Sequence, residues 1–259
     1  MNKFITIIAS LLIAFTFTKT VLADGHQVYG PYPITLKGYD GDATNSVKYT
    51  GQMARHALHD SLKALVKSGD VAKMMAYYNG EDGLAIVAPA SKGDFVIKQT
   101  MVSEIGSGNL SGKMYKGYIP GWGNLTGPEA IEHMITKAGE VEGGFDPNTG
   151  MDYTQLISKF AMGAVFYNQA VNSYLGSKME IGQKPNSEPY KEGAYYTGKE
   201  HSWDEAFGYW GSAAHALTLS AEQNYNVAKK KDMASADFNG DGVVAVSYTH
   251  LRAHETIDD

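Results

Sequence analysis

The chain has 259 residues, 43% hydrophobic and 19% charged, with a formal net charge of -6. This is the composition of an ordinary globular protein, long enough for one large domain or two small ones, and the negative balance gives no basic field for nucleic acid or anionic lipid. The absence of cysteine excludes disulfides, thiolate metal sites, a cysteine nucleophile and a lipid-modified N-terminal cysteine.

Met1 to Ala23 has the form of a secretory signal peptide. Lys3 supplies the positive start, Phe4 to Phe17 the apolar run, and Val21-Leu22-Ala23 the small-residue cleavage site. Cleavage after Ala23 makes the mature protein periplasmic or secreted. No later run is apolar enough to cross a bilayer, so residues 24–245 read as one extracytoplasmic domain. From Asp24 to Ser46 the chain reads as loop, rich in Gly, Pro and Asp turn chemistry.

Val47 to Lys67 has helical spacing, with Val47, Met53, Leu58, Leu62 and Leu65 inward and Ser68-Gly69 as the stop. His56 and His59 lie three apart on one face of it. They are either half of a metal site or solvated and capping histidines. Arg55 is one of only two arginines in the chain. A chain that otherwise uses lysine keeps arginine where a planar fork is needed, here for a buried carboxylate such as Asp204 or Glu205.

Asp70 to Tyr78 reads as a short second helix ended by Asn79-Gly80, and Asp94 to Ile105 as another. Ser107 to Leu125 is a Gly-rich aromatic loop with Tyr115, Tyr118 and Trp122. Such a loop serves either as a stacking surface for sugars or as a cover over a helical core. Thr126 to Ala138 is a helix with Thr126 as cap, Pro128 near its start and Glu129 in the first turn. Asp152 opens the longest helix, with Gln155 completing a capping box. Its predicted inward face is Leu156, Phe160, Ala164, Tyr167, Val171 and Tyr174.

Ser202 to Gly211 holds two of the three tryptophans. Ser202 and Glu205 form a capping box, which predicts a helix starting at Ser202 and leaves His201 outside it. Trp203, Phe207 and Trp210 then fall on one stripe, with Asp204 at its edge. Either the stripe seals a helical core, or Asp204 and Glu205 line a ligand pocket with Trp203 and Trp210 beside them. A further helix is expected from Gly211 to about Lys230.

Asp237-Phe238-Asn239-Gly240-Asp241-Gly242 matches the opening of a calcium loop. Asp237, Asn239 and Asp241 supply oxygen at the first, third and fifth positions, Gly242 permits the turn, and Val243 offers a carbonyl at the seventh. Tyr248 stands where the bidentate glutamate belongs, so this is half a loop. From Val246 onward the sequence resembles a translated sequencing-adapter read-through, and 246–259 are expected to be a non-native tail.

Two segments carry a family resemblance. Tyr49-Thr50-Gly51-Gln52-Met53-Ala54-Arg55-His56 and Trp203-Asp204-Glu205-Ala206-Phe207-Gly208-Tyr209-Trp210-Gly211 resemble the signature segments of a bacterial family, domain of unknown function 4856. The resemblance spans about Asp24 to Ala245. It implies a secreted, all-helical protein related in architecture to imelysin-like proteins, which are linked to iron uptake and to peptidase activity. The imelysin signature Gly-x-His-x-x-Glu is missing, since Gly198, His201 and Glu205 have a different spacing.

The expected fold is therefore all-α, a helical bundle-like domain with long Gly- and Tyr-rich loops. The expected function is non-catalytic binding of a small ligand or metal ion, with calcium at the late loop. An imelysin-like iron-uptake or metal-dependent peptidase role and a glycan-binding module using Trp122 are the alternatives. No catalytic residue is assigned.

Overall fold

The computed structural model describes residues 33–43, 46–87, 91–92, 95–183, 185–211, 215–229, 231–237 and 240–244. Residues 1–23, read as a signal peptide from the sequence, Asn239 and everything from Val246 onward lie outside these residues. The fold is all-helical, with strands of only two or three residues.

Helix α1 (Thr50–Leu65) occupies the centre, with ten of its sixteen residues buried. Leu58, Leu62 and Leu65 supply the apolar face expected from their spacing. The same helix also buries Gln52, His56 and His59, and a buried polar group requires a partner. Each finds one on a neighbouring helix, so these three side chains fix how α1 sits against the rest. Helix α2 (Val71–Asn79) follows a tight turn. The Asp70 carboxylate accepts from the Lys73 N–H at 2.9 Å, and Gly80 ends the helix with a left-handed φ of 62°.

Helix α3 (Gly127–Gly139) starts at the expected Thr126–Glu129 capping box and buries Ala130, Ile131, Met134, Ile135 and Ala138. Helix α4 (Tyr153–Ala161) is capped by Asp152, which accepts from the Gln155 N–H at 3.2 Å. It runs on as a π-helix over Met162–Tyr174, closing with Leu175 N–H to the Ala170 carbonyl at 2.9 Å, an i→i−5 bond. That ladder takes more residues per turn, so the inward face drifts. Ile157, Ala161, Val165, Phe166, Ala170 and Tyr174 are buried, whereas Tyr167 and Val171, expected inward, are exposed. Helix α5 (Gly198–Trp210) packs against the π-helix and α1, while α6 (Ala221–Ala228) and α7 (Met233–Ala236) are short.

The helix expected over Asp94–Ile105 is not formed. Strand β1 (Ser91–Lys92) pairs antiparallel with β2 (Phe95–Ile97), and Val102–Glu104 is one 3-10 turn. Phe95-Val96-Ile97 is an aromatic and β-branched run, which favours extended backbone. Glu104 closes the following turn by accepting from the Thr100 and Met101 N–H groups at 2.7 and 3.0 Å. Strands β3 (Phe145–Asp146) and β4 (Met151–Asp152) form a hairpin in the acidic turn before α4. Strand β5 (Val243–Val244) lies parallel to β2, with Val96 opposite Val243. Among the described residues no helix is long and apolar enough to cross a membrane.

Candidate functional site

Helix α5 begins one turn earlier than its tryptophans suggest. Thr197 is the cap: its hydroxyl accepts from the Glu200 N–H at 3.3 Å, and the Glu200 carboxylate accepts from the Thr197 N–H at 2.7 Å. The Ser202–Glu205 box therefore lies inside the helix, and Ser202 is buried there. The sequence signal was available, because Thr197-Gly198-Lys199-Glu200 has the same box spacing as Ser202 to Glu205.

This shift places His201 on the helix, three residues from Asp204 and four from Glu205, on one face. The aromatic stripe faces outward at its two tryptophans, while Phe207 packs on Tyr49. Trp203 and Trp210 are 52% and 51% exposed, while Asp204 is 4% exposed. The stripe does not seal the core. The buried face carries Ser202, Asp204, Ala206, Gly208 and Tyr209 instead. Gly208 is needed at the crossing with α1, since a Cβ there would lie 2.7 Å from Tyr49 Cβ. Its carbonyl accepts from His56 Nε2–H at 2.9 Å, which ties the two helices at their closest approach.

A cavity of about 330 Å³ lies between α5 and the chain that leads into α1. Pro33, Thr35, Ser46, Val47 and Tyr49 form one side, and Glu200, Trp203, Asp204 and Phe207 the other, with Met179, Asn186 and Lys199 at the margin. Most of its polar groups are already engaged. Thr35 donates to Glu200 at 2.7 Å, and the Lys199 ammonium donates to the Glu180 carbonyl at 2.7 Å. Asp204 differs in being almost wholly buried. Its Oδ2 accepts from the Lys48 N–H at 2.6 Å, and its buried Oδ1 pairs with His201 Nδ1 at 3.2 Å. Burial pushes the Asp204 carboxyl up to about 6, and the neighbouring His201 and Lys48 amide offset only part of that cost.

His201 connects this cavity to a second polar cluster inside the domain. Its Nε2 stands 3.5 Å from Glu205 Oε2, and its ring packs against the stacked rings of Tyr190 and Tyr196, with centroids at 4.7 and 4.8 Å. Glu205 Oε1 accepts from Gln52 at 2.9 Å and from the Tyr174 hydroxyl at 3.3 Å. Asp204 and Glu205 thus meet opposite nitrogens of one imidazole, so the three groups do not converge on a point where a metal ion would sit. Among the described residues no cluster of three or more His, Asp or Glu side chains is arranged to hold a metal.

The candidate residues separate accordingly. Trp203 and Asp204 meet at the cavity. Glu205 lies behind it and Trp210 outside it. Arg55 makes no fork with either carboxylate: its Nε donates to the Asn109 carbonyl at 2.9 Å, and the guanidinium lies 5.7 Å over the Tyr209 ring. The fork is used on backbone and ring because Gly108 lets the loop close against it, with 3.0 Å from a built Cβ to the guanidinium carbon. His56 and His59 turn their Nε2 atoms apart. Their Nε2 atoms donate to different carbonyls, Gly208 and Ser158 at 2.9 and 3.0 Å, and Phe166 packs on both rings. Trp122 packs edge-on to His133 against the core, as a loop cover does.

The late Asp/Gly turn is closed by its own carboxylates. Asp237 Oδ1 accepts from the Gly240 and Asp241 N–H groups at 2.9 and 3.2 Å, and Oδ2 from the Gly242 N–H at 2.8 Å. Asp241 Oδ1 accepts from the Val243 N–H at 2.7 Å, and Val243 then enters β5.

Residues 125–247 match the family model Domain of unknown function (DUF4856), and this part of the chain belongs to that family. The match contains α5 with Asp204, but it starts after Tyr49–His56, so the first resemblant segment and one side of the cavity lie outside it. No curated protein matches the chain, and no solved structure does either.

Proposed function

We propose that this protein is an extracytoplasmic, non-catalytic binding protein whose small ligand sits in the cavity between Pro33–Tyr49 and α5. The observation that carries the reading is the Asp204 carboxylate, buried at the wall of an aromatic-lined cavity with only His201 and one backbone amide against it. A buried carboxylate lowers stability, and such groups collect at functional sites. The apolar Phe4–Phe17 run supports placement outside the cytoplasm.

The test is a ligand-observed NMR screen of neutral, anionic and cationic fragments against the full chain and the Trp203→Ala variant. Because Trp203 is half exposed, its truncation leaves the core intact. Fragments that bind the full chain and lose contact in the variant support the reading. Fragments that bind both proteins equally, or none binding at all, refute it.

A second reading concerns the Asp237 loop. The Asp237 and Asp241 carboxylates already gather the backbone N–H groups of Gly240 to Val243, and a calcium ion would take Asp237, Asp241 and the Val243 carbonyl as ligands. Millimolar calcium should then raise the melting temperature relative to chelator, and Asp241→Ala should remove the effect. An unchanged melting temperature counts against calcium.

A further inference from the structure

The polar cluster behind the cavity adjoins two cations that the cavity does not use. We propose that Arg55 and Lys113 form a binding site for a small oxyanion, a carboxylate or phosphate group taken by the guanidinium and the ammonium together.

Three observations converge on this class. The first is that the Arg55 side chain is held in place while its ends stay open. Its Nε donates to the Asn109 carbonyl at 2.9 Å, and the guanidinium lies over the Tyr209 ring. A Cβ on Gly108 would stand 3.0 Å from the guanidinium carbon, and one on Gly51 would stand 3.3 Å from a terminal nitrogen, so both glycines leave the space the fork occupies. Among the described residues the two terminal amino groups have no hydrogen bond or ion pair, and neither is sealed from solvent. A fixed guanidinium with free N–H groups matches an oxyanion, which accepts charge-assisted bonds from it.

The second is a like charge beside it. Lys113 ends the 3-10 turn Ser111–Lys113, and its carbonyl accepts from Gln169 on the π-helix at 2.9 Å. Its ammonium also has no hydrogen bond or ion pair among the described residues. Desolvation, and after it the Arg55 charge, hold this ammonium below the usual lysine range. Two partly desolvated cations that act on each other are unfavourable until an anion joins them.

The third is that no acid of the protein serves as that anion. Glu205 acts on the Lys113 ammonium but forms an ion pair with neither cation. Its Oε1 accepts from Gln52 and Tyr174, and its Oε2 faces His201 at 3.5 Å. Helix α1 adds to the positive side. It opens with no side-chain cap and no acidic residue in its first turn, where Gly51 meets the guanidinium.

The experiment titrates inorganic phosphate and acetate into the full chain by calorimetry at fixed ionic strength, with chloride as the background anion. The expected result is binding at one site, weakened roughly tenfold or more by Lys113→Gln through loss of a charge-assisted bond. Arg55→Lys, which keeps the charge and loses the fork, should also weaken it. Lys116→Gln is the control, because that ammonium is already on the Ser111 carbonyl at 2.9 Å, and it should bind like the parent. Phosphate binding tighter than acetate supports a phosphoryl ligand at the site, and the reverse order supports a carboxylate. With chloride alone, Lys113→Gln should melt at or above the parent temperature, since it relieves the repulsion, which separates lost binding from lost folding. Binding of neither anion, equal losses in Lys113→Gln and Lys116→Gln, or a Lys113→Gln variant that melts several degrees lower in chloride would each overturn the proposal.

Discussion

Helices α3 and α5 are both thirteen residues long and both start at a Thr-x-x-Glu capping box, yet they are built inside out relative to each other. In α3 the apolar residues face the core. In α5 two tryptophans face outward, while a carboxylate, a serine and a glycine are buried. A helix whose sole task is to fill a core has no reason to bury Asp204, because desolvating it is unfavourable. The inversion marks α5 as the element arranged for something other than packing.

The contrast can be broken by mutation, beginning where the effect is largest. Ile131 in α3 is fully buried, so Ile131→Ala should lower unfolding free energy by about 2–5 kcal/mol in urea titration. A loss near zero would mean that α3 is not the packing helix described. Asp204 should show the opposite behaviour through pH. Its carboxyl is raised from an ordinary value near 3.8 to about 6, so between those values the folded state holds a proton that the unfolded state has released. Stability from this group is fully present below about pH 3.8 and is lost as pH rises through about 6, a total of about 3 kcal/mol. Asp204→Asn should remove that decline, and equal slopes for the two proteins would contradict it.

Gly208 sharpens the comparison from the other side. Inside an exposed helix Gly→Ala is worth about 1 kcal/mol of added stability. At the α1 crossing the new methyl would meet the buried Tyr49 side chain, so Gly208→Ala should instead lower stability by about 1–3 kcal/mol in the same titration. A stabilised variant would mean that the two helices are further apart. The smallest effect is expected at Trp210, half exposed and away from the cavity, where Trp210→Ala should change stability by under about 1 kcal/mol.

The same contrast explains what the sequence disclosed. α1, α2 and α3 were legible because spacing, caps and stops agree: Thr126, Pro128 and Glu129 open α3, and Ile131, Met134, Ile135 and Ala138 fill one face of it. The face of the helix after α4 was not, because periodicity assumes an α ladder and Met162–Tyr174 is π-helical. In the site, the sequence singled out Trp203 and Asp204, but it placed the helix start at Ser202. Two overlapping capping boxes, Thr197–Glu200 and Ser202–Glu205, are equally good locally, and only the burial of Ser202 decides between them. That single turn hid His201 as the neighbour of both acids. The cavity wall from Pro33 to Tyr49 could not be read at all, since nothing local links it to a helix more than 150 residues later, as the bond from Lys48 to Asp204 does.

The most direct test of α5 as an inverted, ligand-facing helix is the titration of the Asp204 side-chain carboxyl by carbon-detected NMR in the full chain, assigned with Asp204→Asn. A midpoint near 6 is the expected result. A midpoint near 3.8 would show a hydrated carboxylate and would contradict the account.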